Sequence, residues 1–259
     1  MVGAGGKHVR TYLFVAVAAL AVACNSNAPT APTSSATTAT STTAPTPAAA
    51  AVDARGIYAQ FQSAVTVSLA GSTATLRSNG LPDHASPYWP RGSTQYEAPH
   101  AGMQMAPNQI ATQSLSLQVP TAPAVGSASD TPLGPMGIAV NGVAIFNQYA
   151  AGRSPLTNEI LTFDRFNGHP QQTGQYHYHV EPLWLTSNRG GDSLIGVLLD
   201  GFPVYGPRDQ DGTMPGGLDS CNGHVHATRE VPAGIYHYHV VSAPPYISGC
   251  FRGTPGRLG

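Results

Sequence analysis

From about residue 63 onward, short apolar or β-branched runs alternate with polar punctuation. The runs at 63–70, 73–78, 114–119, 137–140, 143–146, 175–181, 194–199 and 235–241 are rich in Val, Ile, Leu, Thr and Tyr. Runs of this length, bounded by Gly, Pro, Asn and Asp, predict β-strands. Helical periodicity is scarce, and 29 Gly and 23 Pro break the chain throughout. Asn141-Gly142 and Asp200-Gly201 each stand between two apolar runs, where such dipeptides favour tight hairpin turns. The pattern predicts an all-β domain, a sandwich or a barrel, with at most one short helix near 157–166.

The runs also repeat. Residues 137–146 (GIAVNGVAIF) align with 196–205 (GVLLDGFPVY). Asp164-x-x-Asn167-Gly168-His169 aligns with Asp219-x-x-Asn222-Gly223-His224. Tyr176-His177-Tyr178-His179 aligns with Tyr236-His237-Tyr238-His239. One domain over 52–259 is therefore expected to hold two pseudo-symmetric half-repeats, at about 137–180 and 196–240, each beginning with a hairpin.

The duplicated tetrapeptide carries the candidate chemistry. Residues two apart on a strand face the same side, so His177 and His179 share one face and the tyrosines the other. The same holds for His237 and His239. Two imidazoles on one strand face can chelate a metal ion. The alternative is a buried polar layer of hydrogen-bonded histidines. His169 and His224 follow Asn-Gly turns that can fold them back over the same strand, which would give three His per half, in one shared site or in two. His226 adds a further candidate in the second half only. Asp164 and Asp219 either orient imidazoles from behind, as carboxylates often do, or cap their own turns; the Asp-x-x-Asn-Gly pattern favours the turn. Asp209-Gln210-Asp211-Gly212 lacks the other oxygen ligands of a calcium loop and reads as an ordinary turn. Neutral imidazoles suit copper or zinc, with copper the stronger binder where both are free. No serine-nucleophile elbow, phosphate loop or His-Glu-x-x-His motif is present, so any catalysis would be metal-centred or carried by His and Asp.

Composition sets the surroundings. Lys7 and Arg10 precede an apolar run at 12–23, the layout of a signal peptide over 1–23 that is too short to span a bilayer as a helix. It ends at Cys24 in a stretch that resembles a bacterial lipobox, which implies a lipid-anchored protein of the cell envelope, facing the periplasm or the exterior. Residues 28–51 contain only Ala, Pro, Thr, Ser and nothing else, and are expected to form part of a disordered tether over 24–51. Without the leader, ten Arg face thirteen Asp and Glu, which argues against a nucleic-acid partner. If Cys24 carries lipid, Cys221 and Cys250 remain as a pair. An oxidising compartment favours a disulfide between them, and a two-thiolate metal site is the alternative.

These motifs resemble the YHYH-domain family. The resemblance covers about residues 79–253 and includes Asn79-Gly80-Leu81-Pro82-Asp83-His84, Asp200-Gly201-Phe202-Pro203-Val204-Tyr205 and Pro245-Tyr246. It brings His84 in as a further candidate site residue, with a plain turn role as the alternative. It implies domain bounds and a choice of residues, and it supplies no reaction. The first half departs from the second in having Phe166 where Cys221 stands. The expected function is an exported, membrane-tethered metal-binding protein. A metal-dependent hydrolase or copper oxidase, or a surface module that binds no metal, are the alternatives.

Overall fold

The computed structural model describes residues 51–259; the expected leader, Cys24 and most of the tether lie outside them. After a 3-10 turn at Arg55–Gln60 come β1 (Val65–Ala70), β2 (Thr73–Ser78) and β3 (Leu115–Pro120). The first half-repeat follows, with β4 (Ser129–Asp130), β5 (Pro135–Ala139), β6 (Ala144–Phe146), β7 (Tyr149–Ala150), β8 (Ser154–Pro155), β9 (Gly168–Pro170) and β10 (Tyr176–Tyr178). The helix α1 (Leu183–Arg189) leads into β11 (Leu194–Leu198), β12 (Pro203–Tyr205), β13 (Gly223–His226) and β14 (Ile235–His239). β15 (Cys250–Phe251) and β16 (Arg257–Leu258) end the chain.

Two sheets dominate. The smaller has the order β1-β2-β3-β16, and the larger β13-β14-β12-β11-β5-β6-β10-β9. β4 pairs with β15 and β7 with β8 as two-residue ribbons. In the larger sheet the end strands β9 and β13 do not meet, so it stays open and the fold is sandwich-like rather than a closed barrel.

Read outward from its centre, the large sheet gives the same series twice. Each half is an antiparallel hairpin (β5-β6, β11-β12), then a parallel neighbour (β10, β14), then that strand's antiparallel partner (β9, β13). The halves join where β5 and β11 run antiparallel, with Ile138 opposite Val197 and Gly196 opposite Ala139. Ile138 and Val197 are equivalent in the sequence repeat, so a pseudo-twofold axis passes through that pair, normal to the sheet. The equivalent glycines beside it admit the close pairing. A Cβ on Gly137 would stand 2.6 Å from the Val197 carbonyl oxygen, and one on Gly196 would meet that of Ile138.

The small sheet covers the turns of both central hairpins. Ser78 Oγ donates to the Gly142 carbonyl at 2.9 Å. Gly201, in the equivalent turn, lies against the Pro120 carbonyl, and both glycines have positive φ (90° and 85°). β2 and β3 bury alternate residues, as a one-sided sheet should. β11 and β14 are buried on both faces, which explains their unbroken apolar or aromatic character. Val65, Leu76, Leu117 and Val119 of the small sheet join Ile138, Val197 and Leu198 of the large one in a single core. The disulfide between Cys221 and Cys250 is formed and ties the turn before β13 to β15.

Two expectations need correction. The helix expected near 157–166 is only a 3-10 turn, Glu159–Thr162. The one α-helix among the described residues, α1, was not foreseen: seven residues between Pro182 and Gly190 are too few to show a helical period. β9 and β13 were missed for the same reason, since they are three and four residues long.

Candidate metal centres

The site begins with strand register. Across β9 and β10, His169 lies directly opposite His177. Across β13 and β14, His224 lies directly opposite His237. Directly opposed residues share a face. The third imidazole of each set, His179 or His239, is two residues along the same strand. Three imidazoles therefore converge in each half, and the twofold normal to the sheet puts both sets on one face. Five strand spacings separate β10 from β14, about 24 Å along the sheet. The repeat forms two separate centres, not one shared one.

A carboxylate completes each set: Glu159 with His169, His177 and His179, and Asp209 with His224, His237 and His239, every donor atom lying within 4.8 Å of the others in its set. In the first centre, His177 Nε2 is 3.1 Å from His169 Nε2 and 3.0 Å from His179 Nε2. Glu159 Oε1 is 3.1 Å from His169 Nε2 and 3.7 Å from His179 Nε2. In the second, His237 Nε2 is 3.1 Å from His224 Nε2 and 3.0 Å from His239 Nε2. Asp209 Oδ1 is 3.4 Å from His224 Nε2 and 3.2 Å from His239 Nε2. Donors held about 2.0–2.1 Å from a tetrahedral ion stand about 3.3–3.4 Å apart, so both sets are of a size that could hold a metal ion.

The rear of each ring fixes its proton. Nδ1 of His177 faces the Gln175 carbonyl at 3.0 Å, and that of His179 faces the Asn147 carbonyl. Nδ1 of His237, His239 and His224 face the carbonyls of Ile235, Gly206 and Gly216 at 2.9, 2.8 and 3.0 Å. A carbonyl only accepts, so each of these Nδ1 atoms carries the hydrogen. His169 reaches the same end through Thr162. That hydroxyl donates to the Glu159 carbonyl, leaving its oxygen to accept from His169 Nδ1 at 2.7 Å. Every neutral ring in both sets then turns an Nε2 lone pair inward. In each set the middle lone pair, on His177 or His237, lies about 3 Å from the other two with no hydrogen to share, and the three repel one another unless a cation lies among them. Burial, foremost, and the neighbouring imidazoles hold His177 far below the ordinary His range, and burial pushes His237 down to about 3. Burial likewise lowers His169 and His239. Burial pulls the Glu159 carboxyl upward, and His169 and His179 hold it well below the usual range only when their Nε2 atoms are protonated.

The tyrosines of the tetrapeptides occupy the other face, and they explain the Asp-x-x-Asn-Gly-His motif. Asp164 Oδ1 accepts the amides of Phe166 and Gly168, while Oδ2 accepts the hydroxyls of Tyr176 (2.7 Å) and Ser86 (2.6 Å). Asp219 does the same for the amides of Cys221 and Gly223 and the Tyr236 hydroxyl. Asn167 and Asn222 take the left-handed conformation (φ 66° and 65°) that Asn tolerates. Gly168 and Gly223 leave room for the rings of Tyr176 and Tyr236, which a Cβ would strike. The histidine that follows is thereby placed opposite its partner. Asp164 and Asp219 thus serve turn and tyrosine rather than an imidazole, and backbone carbonyls do most of the orienting of the rings.

His84 joins neither centre. Its Nδ1 faces the Ala85 carbonyl at 3.0 Å, so its Nε2 accepts the Tyr178 hydroxyl at 3.3 Å. It packs on the tyrosine face, against Phe166, Tyr176 and Trp184. His226 sits at the rim of the second centre, exposed, 3.7 Å from Asp209 Oδ1. The carboxylates were missed. Glu159 comes from the 3-10 turn and Asp209 from the turn after β12, at positions that are not equivalent in the repeat, so internal symmetry gave no signal for them. Asp209 does form the expected Asp-Gly turn, but its side chain points at the histidines.

The two centres differ in access. A cavity of about 380 Å³ lies over the first, against Glu159, His177 and His179. Beside His237 and His239 the free space is about 10 Å³, room for one water at most.

No curated protein and no solved structure is significantly similar to the chain. A family profile described as "YHYH protein" matches residues 116–215 and 209–253, taking in both tetrapeptides and more than half of the sequence. The chain belongs to the YHYH protein family.

Proposed function

We propose that this protein binds two first-row transition-metal ions, one in each half, through His169, His177, His179 and Glu159 and through His224, His237, His239 and Asp209. The observation that carries this reading is the convergence of three Nε2 lone pairs in each set, with Nδ1 protonated against a fixed acceptor. Copper(II) and zinc both suit three imidazoles and a carboxylate, and copper(II) is the stronger binder where both are free. The disulfide supports an oxidising setting, in keeping with an exported protein held at the cell envelope through Cys24.

The test is elemental analysis of protein exported into an oxidising compartment and purified without a histidine tag. Two copper or zinc ions per chain are expected. Protein that arrives without metal and takes up none on titration overturns the reading, makes the histidines a structural layer, and points to a surface module that binds no metal.

A further inference from the structure

We infer that the first centre takes a small neutral organic ligand from outside the protein, whereas the second lacks a comparable cavity to hold one. The inference rests on metal binding at both centres and adds a division of labour between them.

The structural difference arises in one loop. In the second half, Asp209 follows the end of β12 by four residues, Tyr205 to Asp209, and folds directly over its histidines. In the first half, the chain from Phe146 to Glu159 is thirteen residues long, and the extra length forms the β7-β8 ribbon. That ribbon stands away from the histidines and walls the cavity of about 380 Å³, to which Tyr149, Ala150 and Ala151 contribute. The pocket beside His237 and His239 in the second half, hemmed in by Arg208, Asp209 and Gln210, is only about 10 Å³. An ion in the first centre would be reachable through this cavity by a molecule of several heavy atoms, and an ion in the second has no comparable room beside His237 and His239.

The wall indicates the ligand's chemistry. It is formed by Leu133, Phe146, Tyr149, Ala150 and Ala151, with Gln171 as a neutral hydrogen-bonding group and no Lys or Arg. Glu159, at its floor, is negative. The nearest cation, Arg153, lies over the Tyr149 ring and donates to the Thr131 carbonyl, so an anion such as a phosphate ester would find no protein cation in the lining itself. A neutral molecule with one nitrogen or oxygen donor and a flat or apolar body would fit. Glu159 is the ligand most easily displaced: its side chain is 25 % exposed and stands 3.7 Å from His179 Nε2. An incoming donor would replace it, or add as a fifth ligand, which zinc and copper(II) both accept.

The experiment uses the full chain loaded with two copper(II) ions, titrated with imidazole and separately with inorganic phosphate, and followed by electron paramagnetic resonance with copper content measured in parallel. Imidazole is expected to change the signal of half the copper, and phosphate to change none. Ala150→Trp, which fills the cavity, should leave two bound copper ions and weaken the imidazole response by about tenfold or more. Ala151→Trp, at an exposed position of the same wall, repeats the test if the first variant fails to fold. Equal response of both centres, no response with two ions bound, a response to phosphate, or a full response in the filled variants overturns the inference. Failure to bind copper at all overturns instead the reading on which it rests.

Discussion

Neutral imidazole has one proton and one lone pair, and in this protein the surroundings decide which nitrogen keeps which. Five of the six clustered histidines are fixed by backbone carbonyls, and His169 alone depends on a side chain, Thr162. Thr162→Val should therefore free that ring and weaken metal binding at the first centre by roughly 10–100-fold, leaving the second unchanged, as competition with a chromophoric chelator would read. Replacing His177 and His179 together by Ala should lower the metal content from two ions to one. A variant that keeps both ions would show that strand β10 is not the chelator. At this scale the sequence was informative only where spacing encoded geometry. His-x-His specifies a shared strand face by itself. Glu159 and Asp209 lie on loops of different length; Glu159 stands alone, and the Asp209-Gln210-Asp211-Gly212 run reads as a turn, so neither is marked as a partner of the histidines.

The element that organises each half is the turn-and-strand unit from Asp164 to His179, or from Asp219 to His239. Its two faces do different work: imidazoles on one, tyrosines anchored to the turn's own aspartate on the other. Gly168→Ala would drive a methyl into the Tyr176 ring, a cost of about 1–3 kcal/mol in a chemical denaturation series. Tyr176→Phe removes one hydroxyl from a buried Asp164 oxygen and should cost about 1–3 kcal/mol without changing metal content. Stability is thus expected to fall with the tyrosine, and metal content with the histidines. The hairpins at Asn141-Gly142 and Asp200-Gly201 and the longer strands were legible because apolar alternation and turn chemistry agreed there. β9 and β13 were not, although they carry His169 and His224. They are too short to form a pattern and exist because the turn before them delivers them to β10 and β14.

For the whole molecule, stability is coupled to protons and to the disulfide. In metal-free protein, burial depresses His169, His177, His237 and His239 below their unfolded value near 6.5. The unfolded chain then binds more protons than the folded one as pH falls from about 6.5 toward 3, the value to which His237 is pushed. Chelator-treated protein should melt at progressively lower temperature through that window. His100 acts in the opposite sense, because both its ring nitrogens donate to carbonyls and raise it. A melting temperature that does not change between pH 6.5 and 4 would contradict neutral, buried rings. Reducing Cys221–Cys250 reopens a 29-residue separation and should cost roughly 3–4 kcal/mol, read as a lower melting midpoint under reductant.

The pseudo-twofold axis between Ile138 and Val197 has one further bearing. Two identical chains meeting about such an axis would be bound to identical centres, because any change in one subunit would appear in both. With both halves in a single polypeptide, that coupling is gone. A ribbon can be inserted before one carboxylate and not the other, and a cysteine can staple one turn while phenylalanine fills its counterpart. The chain keeps the geometry of a symmetric pair, and covalent continuity leaves each member free to take on a separate task.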